Sequence, residues 1–372
     1  MRFLELLPVG LCLAQLSSAA AVPSPCPSAL PGPPKPPSPP TPPQGPPKPP
    51  PPPGPAHPVG KCKNPPKRKE WRQLSKPERK SYIDAVQCLT KKAAKSGVPG
   101  AINRFDDHQG VHMQQKPQIH WVGHFLLWHR YFVATYEKAL RDECGYKGGQ
   151  PYWDWSIDAE PQNLNSTRWF DSEIFDPNTG FGGNGARVVA TPAQNRLNIT
   201  GSTGGGCVQS GPFTSDKFTV NLPTPHCLAR DFVPWIINQM ADPKLVAEVL
   251  AQPDYTALAA TVEKKQSFTP PNIHASGHFG VGGILGTMGN AAESPGDPVF
   301  YLHHGNIDHV FWKWQQKDLK QRLNQVGGPI TPFDYSGKNV TLDFEINIGL
   351  LAGNATLKDL LNTEGGTLCY TY

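Results

Sequence analysis

Along the chain, stretches whose apolar residues recur at helical spacing alternate with stretches that show no period. Ser75-Lys-Pro-Glu78 reads as a capping box with a proline in the first turn, and Tyr82, Val86, Leu89 and Ala93 follow at helical spacing up to a stop at Gly97. A second pattern covers about His120 to Arg141, where Phe125, Leu126, His129, Phe132, Val133, Tyr136 and Leu140 form a broad apolar stripe. It leaves through Gly145, Gly148 and Gly149 into Pro151-Tyr-Trp-Asp-Trp155. From about Asn178 to Pro225 the chain is rich in Gly, Asn, Thr and Ser, which predicts a long surface excursion. Helical spacing returns over Phe232 to Gln239, Asp242 to Ala251, Asp254 to Gln266 and near His274. Asp297-Pro298 then supplies an N-cap and a first-position proline for a helix through Phe300, His304, Ile307, Phe311 and Trp314. Beyond Thr331, alternation such as Val340 to Ile348 predicts a few short strands.

Composition changes this picture at one end only. Of 43 prolines in 372 residues, 23 fall between Val22 and Lys69, so the 303 residues from Glu70 onward hold an ordinary 19. The same 48-residue stretch carries seven basic residues and no acidic one, so the net +5 divides into +7 there and −2 beyond it, with Arg2 and Glu5 cancelling. A basic body of the nucleic-acid-binding kind is therefore disfavoured. Residues 22–66 are expected to form a polyproline-II linker or arm, whose spaced lysines could also contact an acidic cell-wall polysaccharide. Residues 67–372 are enough for one large domain.

Residues 1–21, a charged start, an apolar run and then small residues, read as a secretory signal peptide. No later segment is long and apolar enough to span a membrane, so a soluble, secreted chain is expected. Apart from Cys12 and Cys26, six cysteines remain, and with no CxxC or CxH spacing they read as disulfides rather than metal ligands. The preferred pairs are Cys62 with Cys369, tying the domain ends, and Cys207 with Cys227, closing a loop. Asn165, Asn198, Asn339 and Asn354 lie in N-glycosylation motifs.

Histidine carries the candidate chemistry. Ten of twelve fall in two windows, His108, His112, His120, His124 and His129 in one, and His274, His278, His303, His304 and His309 in the other. His274 and His278 are four apart, so on a helix both face one point. Of His303 and His304 we choose His304 as their partner, because Asp308 is four residues on and could orient its ring. In the first window, helical spacing alone favours His120 with His124. His129 conflicts with that pair, lying roughly 140° round an ideal helix from His124 and about 180° from His120, unless His120 precedes the helix. Spacing does not settle the first set.

Taken together, His112, IHWVGHFLLWHRYF, PYWDW, HASGHFGVGG and SPGDPVFYLHHGNIDHVFWKW resemble the tyrosinase and catechol oxidase family over roughly Lys67 to Tyr372. The resemblance implies a mainly α fold, a four-helix bundle around a dicopper centre with long loops and a few short strands. It implies copper A ligands at His112, His120 and His129, and copper B ligands at His274, His278 and His304. Tyr370-Thr-Tyr372 resembles the element that closes the family core, packing on Arg68 or Arg72. Two sets of three neutral imidazoles suit copper in both oxidation states and leave room for dioxygen, whereas zinc is redox-inert and a di-iron site would need carboxylates.

By resemblance, the two copper ions transfer the electrons of a small phenolic substrate to O2, turning catechols into o-quinones. Gln118, two residues before His120, replaces the cysteine that crosslinks a ligand in some relatives. Ala275 follows His274 where efficient monophenol hydroxylases often carry asparagine, and Glu263 is the nearest upstream carboxylate. These departures favour diphenol oxidation over monophenol hydroxylation. Ala275, Phe279 and Met288, the last in the Gly282 to Asn290 loop, are the expected substrate mouth. Other readings are a full tyrosinase, an o-aminophenol oxidase and a hemocyanin-like oxygen carrier. Because many relatives carry a shielding C-terminal domain and this chain stops at Tyr372, activity is expected without proteolysis. Catechol oxidation that begins only after protease treatment of the full-length chain would overturn that expectation.

Overall fold

The computed structural model describes residues 62–264 and 270–372. The segment expected to be a signal peptide and nearly all of that expected to be a proline-rich arm, with Cys12 and Cys26, lie outside the described residues.

Ten helices stand among the described residues. Helix α1 (Lys76–Leu89) starts on the expected capping box, with Ser75 and Glu78 bonding each other's backbone amides. It ends at Leu89, short of Gly97, because Ala93 turns away to pair with Asn103. Helix α2 (Arg104–Gln115) was not legible from apolar spacing, although Asn103 and Asp106 form a second capping box. Its buried face is mostly polar, with Asp106, Asp107, His108, Gln109 and His112 all enclosed. Helix α3 (Phe125–Cys144) starts later than the pattern predicted and stops at Gly145, whose φ of 71° suits the left-handed cap that glycine adopts without strain.

Helix α4 (Pro234–Met240) runs one residue past the end of its expected segment, and α5 (Pro243–Leu250) and α6 (Tyr255–Glu263) fall within theirs. Helices α7 (Ile273–Gly282) and α8 (Val299–Gln316) follow, then the short α9 (Leu319–Arg322) and α10 (Leu357–Leu361). Asp297 accepts from the amide of Val299 at 3.0 Å, the capping role its Asp-Pro sequence suggested. The long excursion holds the two-stranded β1 (Gly185–Arg187) and β2 (Gly205–Val208), and the tail holds β3 (Glu345–Ile346) paired with β4 (Ala355–Thr356), all antiparallel. Cys62–Cys369 and Cys207–Cys227 pair as expected, and Cys88–Cys144 fastens the ends of α1 and α3.

Helices α2, α3, α7 and α8 converge with their aromatic and imidazole rings in contact. His112 meets Phe300, Phe125 meets His274, and His278 meets His304, at centroid separations of 5.4, 4.8 and 5.3 Å. Behind them the bundle is locked by one buried carboxylate. Asp308 on α8 accepts from Arg130 Nε at 2.5 Å, from Arg68 Nη1 at 3.1 Å, and from the Tyr370 and Tyr372 hydroxyls at 2.6 Å each. Arg68 also bonds Glu137 on α3 at 2.6 Å and lies 3.3 Å from the Tyr370 ring centre. The closing Tyr370-Thr-Tyr372 element therefore packs on Arg68, while Arg72 pairs with Glu70 and Asp158. Burial alone would raise the Asp308 pKa, but the Arg130 and Arg68 guanidiniums outweigh it and hold the group below its ordinary value.

This corrects the expectation that Asp308 orients the His304 ring. Two guanidiniums and two phenols take up its oxygens, and His304 Nδ1 has no hydrogen-bond partner among the described residues. Asp308→Ala, which strands two buried cations, is expected to cost about 3–5 kcal/mol. Tyr370→Phe, which removes one bond to a charged group, is expected to cost about 1.5–3 kcal/mol. Thermal midpoints at one scan rate test the order, and equal midpoints for the two variants would refute it.

Candidate metal centre

Each of the first three histidines arrives by a different local device. His112 sits in the last turn of α2, and His129 in the first turns of α3. His120 lies in the loop between them, after a 3₁₀ turn over Lys116–Gln118. Freed from the helical period, its ring comes within 5.1 Å of that of His129 and 5.4 Å of that of His112. The entry of His120 from outside the helix resolves the conflict that spacing left open. His124, the rival, is held away by Gln118 O at 2.9 Å and stacks on Phe344.

In the second set, α7 presents His274 and His278 from one face, and α8 brings His304 to meet them. The Nε2 atom of His278 lies 3.1 Å from those of both His274 and His304. His303 is close by but already engaged. Trp155 Nε1 donates to its Nδ1 at 3.1 Å, which leaves its Nε2 to donate to His274 O at 3.0 Å. Gly277 on α7 lies directly against the His303 ring, where a Cβ would clash. The two sets adjoin: the His129 and His304 rings stack at 4.5 Å, and those of His120 and His274 at 5.9 Å.

Backbone carbonyls fix which nitrogen each ring turns inward. Nδ1 of His112 faces Ala292 O, that of His120 faces Lys116 O, that of His129 faces Phe125 O and that of His278 faces Met288 O, at 2.9 to 3.4 Å. With the proton on Nδ1, each Nε2 keeps a lone pair. The Nε2 atoms of His112 and His129 are buried without a hydrogen-bond partner among the described residues, an arrangement that costs about 1–3 kcal/mol per group unless something binds there. Burial lowers the pKa of all six rings, to about 4 for His120 and His278, so they are neutral near pH 7. Six neutral imidazoles in two adjoining triads, five buried and His274 half-buried, fit a pair of copper ions.

A cavity of about 90 Å³ opens on the second triad. It is lined by His120, His274 and His278, and its walls include Ala275, Phe279 and Met288, the three residues expected at the mouth. Two lining groups, Glu263 and Trp121, have no position that spacing along the chain reveals. Glu263 stands in the wall with Oε1 3.8 Å from His274 Nδ1. Burial raises its pKa well above the ordinary carboxylate value, against the pull of the Trp121 amide. That amide donates to Glu263 Oε2 at 2.7 Å. Trp121 itself adopts φ 55° and stacks on Phe333, at φ 63°, with ring centres 5.0 Å apart. Bulky residues in this region carry strain of about 1–3 kcal/mol each and cluster at functional sites. Neither their conformation nor their contact leaves a signal in the sequence. His108 and His309 are packing residues, against Tyr136 and Tyr152 respectively.

A helical chain with two adjoining histidine triads and an open pocket belongs to the class of type-3 dicopper oxidases. The model of the common central domain of tyrosinase matches residues 102–317, and the chain belongs to the tyrosinase family. A tyrosinase-like protein of Diaporthe leptostromiformis is 35% identical over 340 residues, covering 85% of this chain and 79% of that relative. Tyrosinase P of Aspergillus terreus is 33% identical over 348 residues, covering 85% and 94%. Among solved structures, a mutant polyphenol oxidase of Thermothelomyces thermophila superposes with a TM-score of 0.71 at 34% identity, over 84% of this chain and 90% of that one. The protein is thus a copper oxidase of a family that uses phenolic substrates and O2.

His304→Ala is expected to lower the copper content from two ions per chain to about one, while His303→Ala retains both. Elemental analysis of the purified variants decides, and loss of a copper from His303→Ala alone would reverse the assignment.

Proposed function

We propose that the protein oxidises o-diphenols to o-quinones with dioxygen, holding one copper through His112, His120 and His129 and the other through His274, His278 and His304. The observation that carries this reading is the union of six neutral, inward-facing imidazoles with an open, ring-sized pocket beside them. When bound, the copper pair supplies the two-electron link between phenol and dioxygen. Two catechols and one O2 give two quinones and two waters.

The chain's own part is to admit, orient and dry the substrate. Phe279 and Met288 flank a flat ring from the apolar side, and the buried triads exclude bulk water. His278 is kept in register by the carbonyl of Met288, so the loop that borders substrate also fixes a ligand. Glu263 is the carboxyl group among the described residues of the cavity wall, and it would accept a phenol proton only where a side chain held a water between the two. Ala275, one residue after His274, has only a methyl group and cannot hold such a water, which is why diphenol oxidation is favoured over monophenol hydroxylation.

The remaining assignments are of the same kind. Residues 1–21 are read as a signal peptide, 22–66 as a proline-rich arm and 67–372 as the catalytic domain of a secreted protein. Three disulfides suit an oxidising compartment, and no helix among the described residues is long and apolar enough to cross a membrane. Asn165, Asn198 and Asn339 are exposed, as glycan carriers must be, whereas Asn354 is half-buried. Contact of the arm with a cell-wall polymer belongs to this reading as well.

A panel of monophenols, catechols and o-aminophenols, assayed on copper-loaded protein, tests the function: catechols should give the highest kcat/KM. Ala275→Asn is expected to raise the monophenol to diphenol rate ratio by about tenfold, equivalent to about 1.4 kcal/mol in barrier height. An unchanged ratio would remove Ala275 from the explanation.

A further inference from the structure

We propose that the Trp121–Phe333 stack is a specificity wall, selecting phenols that carry an extended, planar, uncharged substituent over unsubstituted ones; this rests on the oxidase reading above and names its substrate class. The cavity, at about 90 Å³, is of the order of the ~150 Å³ apolar space that takes a single benzene ring. A reacting ring fills it, and any substituent must leave through the mouth.

Trp121 lines the cavity, and its outer partner Phe333 is 48% exposed. Leu197, also in the cavity lining, is 43% exposed. The cavity wall is thus continued outward, from Trp121 to Phe333 and at Leu197, by large apolar side chains that the core does not use. Phe333 is held there at some expense: both residues of the stack have left-handed backbones, and Phe333 N–H donates to Trp121 O at 3.2 Å. Strain kept in an exposed aromatic pair, with little core burial to offset it on the Phe333 side, fits a ligand clamp better than a packing device. Among the described residues the cavity lining includes no Lys or Arg, so an anionic substituent meets no counter-charge from them, whereas a flat aromatic one can extend the stack.

Phe333 is the residue to change, because Trp121 also holds Glu263. Phe333→Gly keeps a residue that tolerates positive φ and removes only the ring. The expected result is a three- to tenfold fall, roughly the size of one aromatic contact, in the kcat/KM ratio of 4-phenylcatechol to catechol. Phe333→Tyr should retain the wild-type ratio. The same fall is expected in the affinity ratio of 4-phenylbenzoate to benzoate, measured by calorimetry on copper-loaded protein without turnover. A ratio unchanged in Phe333→Gly in both measurements overturns the wall. If the wild type oxidises both catechols with no preference, the wall fails and the oxidase reading stands. If it oxidises neither but binds 4-phenylbenzoate tighter in a Phe333-dependent way, the oxidase reading fails and the wall stands.

Discussion

The structure depends on a buried carboxylate shared by two arginines. Asp308 joins α8 to α3 through Arg130, and to the start of the described chain and the closing residues through Arg68, Tyr370 and Tyr372. Arg130 follows His129 directly, and Asp308 is one helical turn beyond His304. The ion pair therefore fixes the rotation of both helices about their axes, and with it the 4.5 Å stack of His129 on His304. Such a cluster is expensive to desolvate, and its worth lies in the single arrangement it permits rather than in a large net gain of stability. The two histidine sets face each other because this cluster has one geometry.

From that frame, the centre's chemistry follows by subtraction. Carbonyl oxygens occupy the outer nitrogens of four ligand-position rings, and burial removes the charged form. What remains is a set of inward lone pairs, of which those of His112 and His129 have no partner among the described residues and that of His278 faces only other imidazole nitrogens. His303 shows the alternative: given a donor at one nitrogen and an acceptor at the other, an imidazole in the same place is a strut.

Much of this was legible in the chain itself. The capping box at Ser75, the helix start at Asp297-Pro298, and the i, i+4 pair His274 and His278 follow from local geometry, and the structure places each at its element, with Pro298 one residue before α8 rather than its first. Three things were not legible, for identifiable reasons. Helix α2 has a polar buried face, so apolar period misses it, although Asn103 and Asp106 mark its start. The place of His120 depends on a loop, where no period constrains direction. The partners of Asp308 lie 62 to 240 residues away, whereas the residue that spacing offers it, His304, is only four away. Local spacing identifies which residues share a face. It cannot weigh a neutral ring four residues off against two remote guanidiniums.

The lack of a side chain at Gly277 has a consequence for how the centre is dimensioned. The His303 ring fills the space a Cβ would need, which lets α8 lie directly against α7. His303 in turn bonds the carbonyl of His274, and Trp155 holds His303 from behind. The approach of the two helices is thus gauged by the thickness of one imidazole, set between a bare backbone and an indole. The 3.1 Å separations among the Nε2 atoms of the second triad thus stand beside a residue whose own two ring nitrogens are both bonded within the protein.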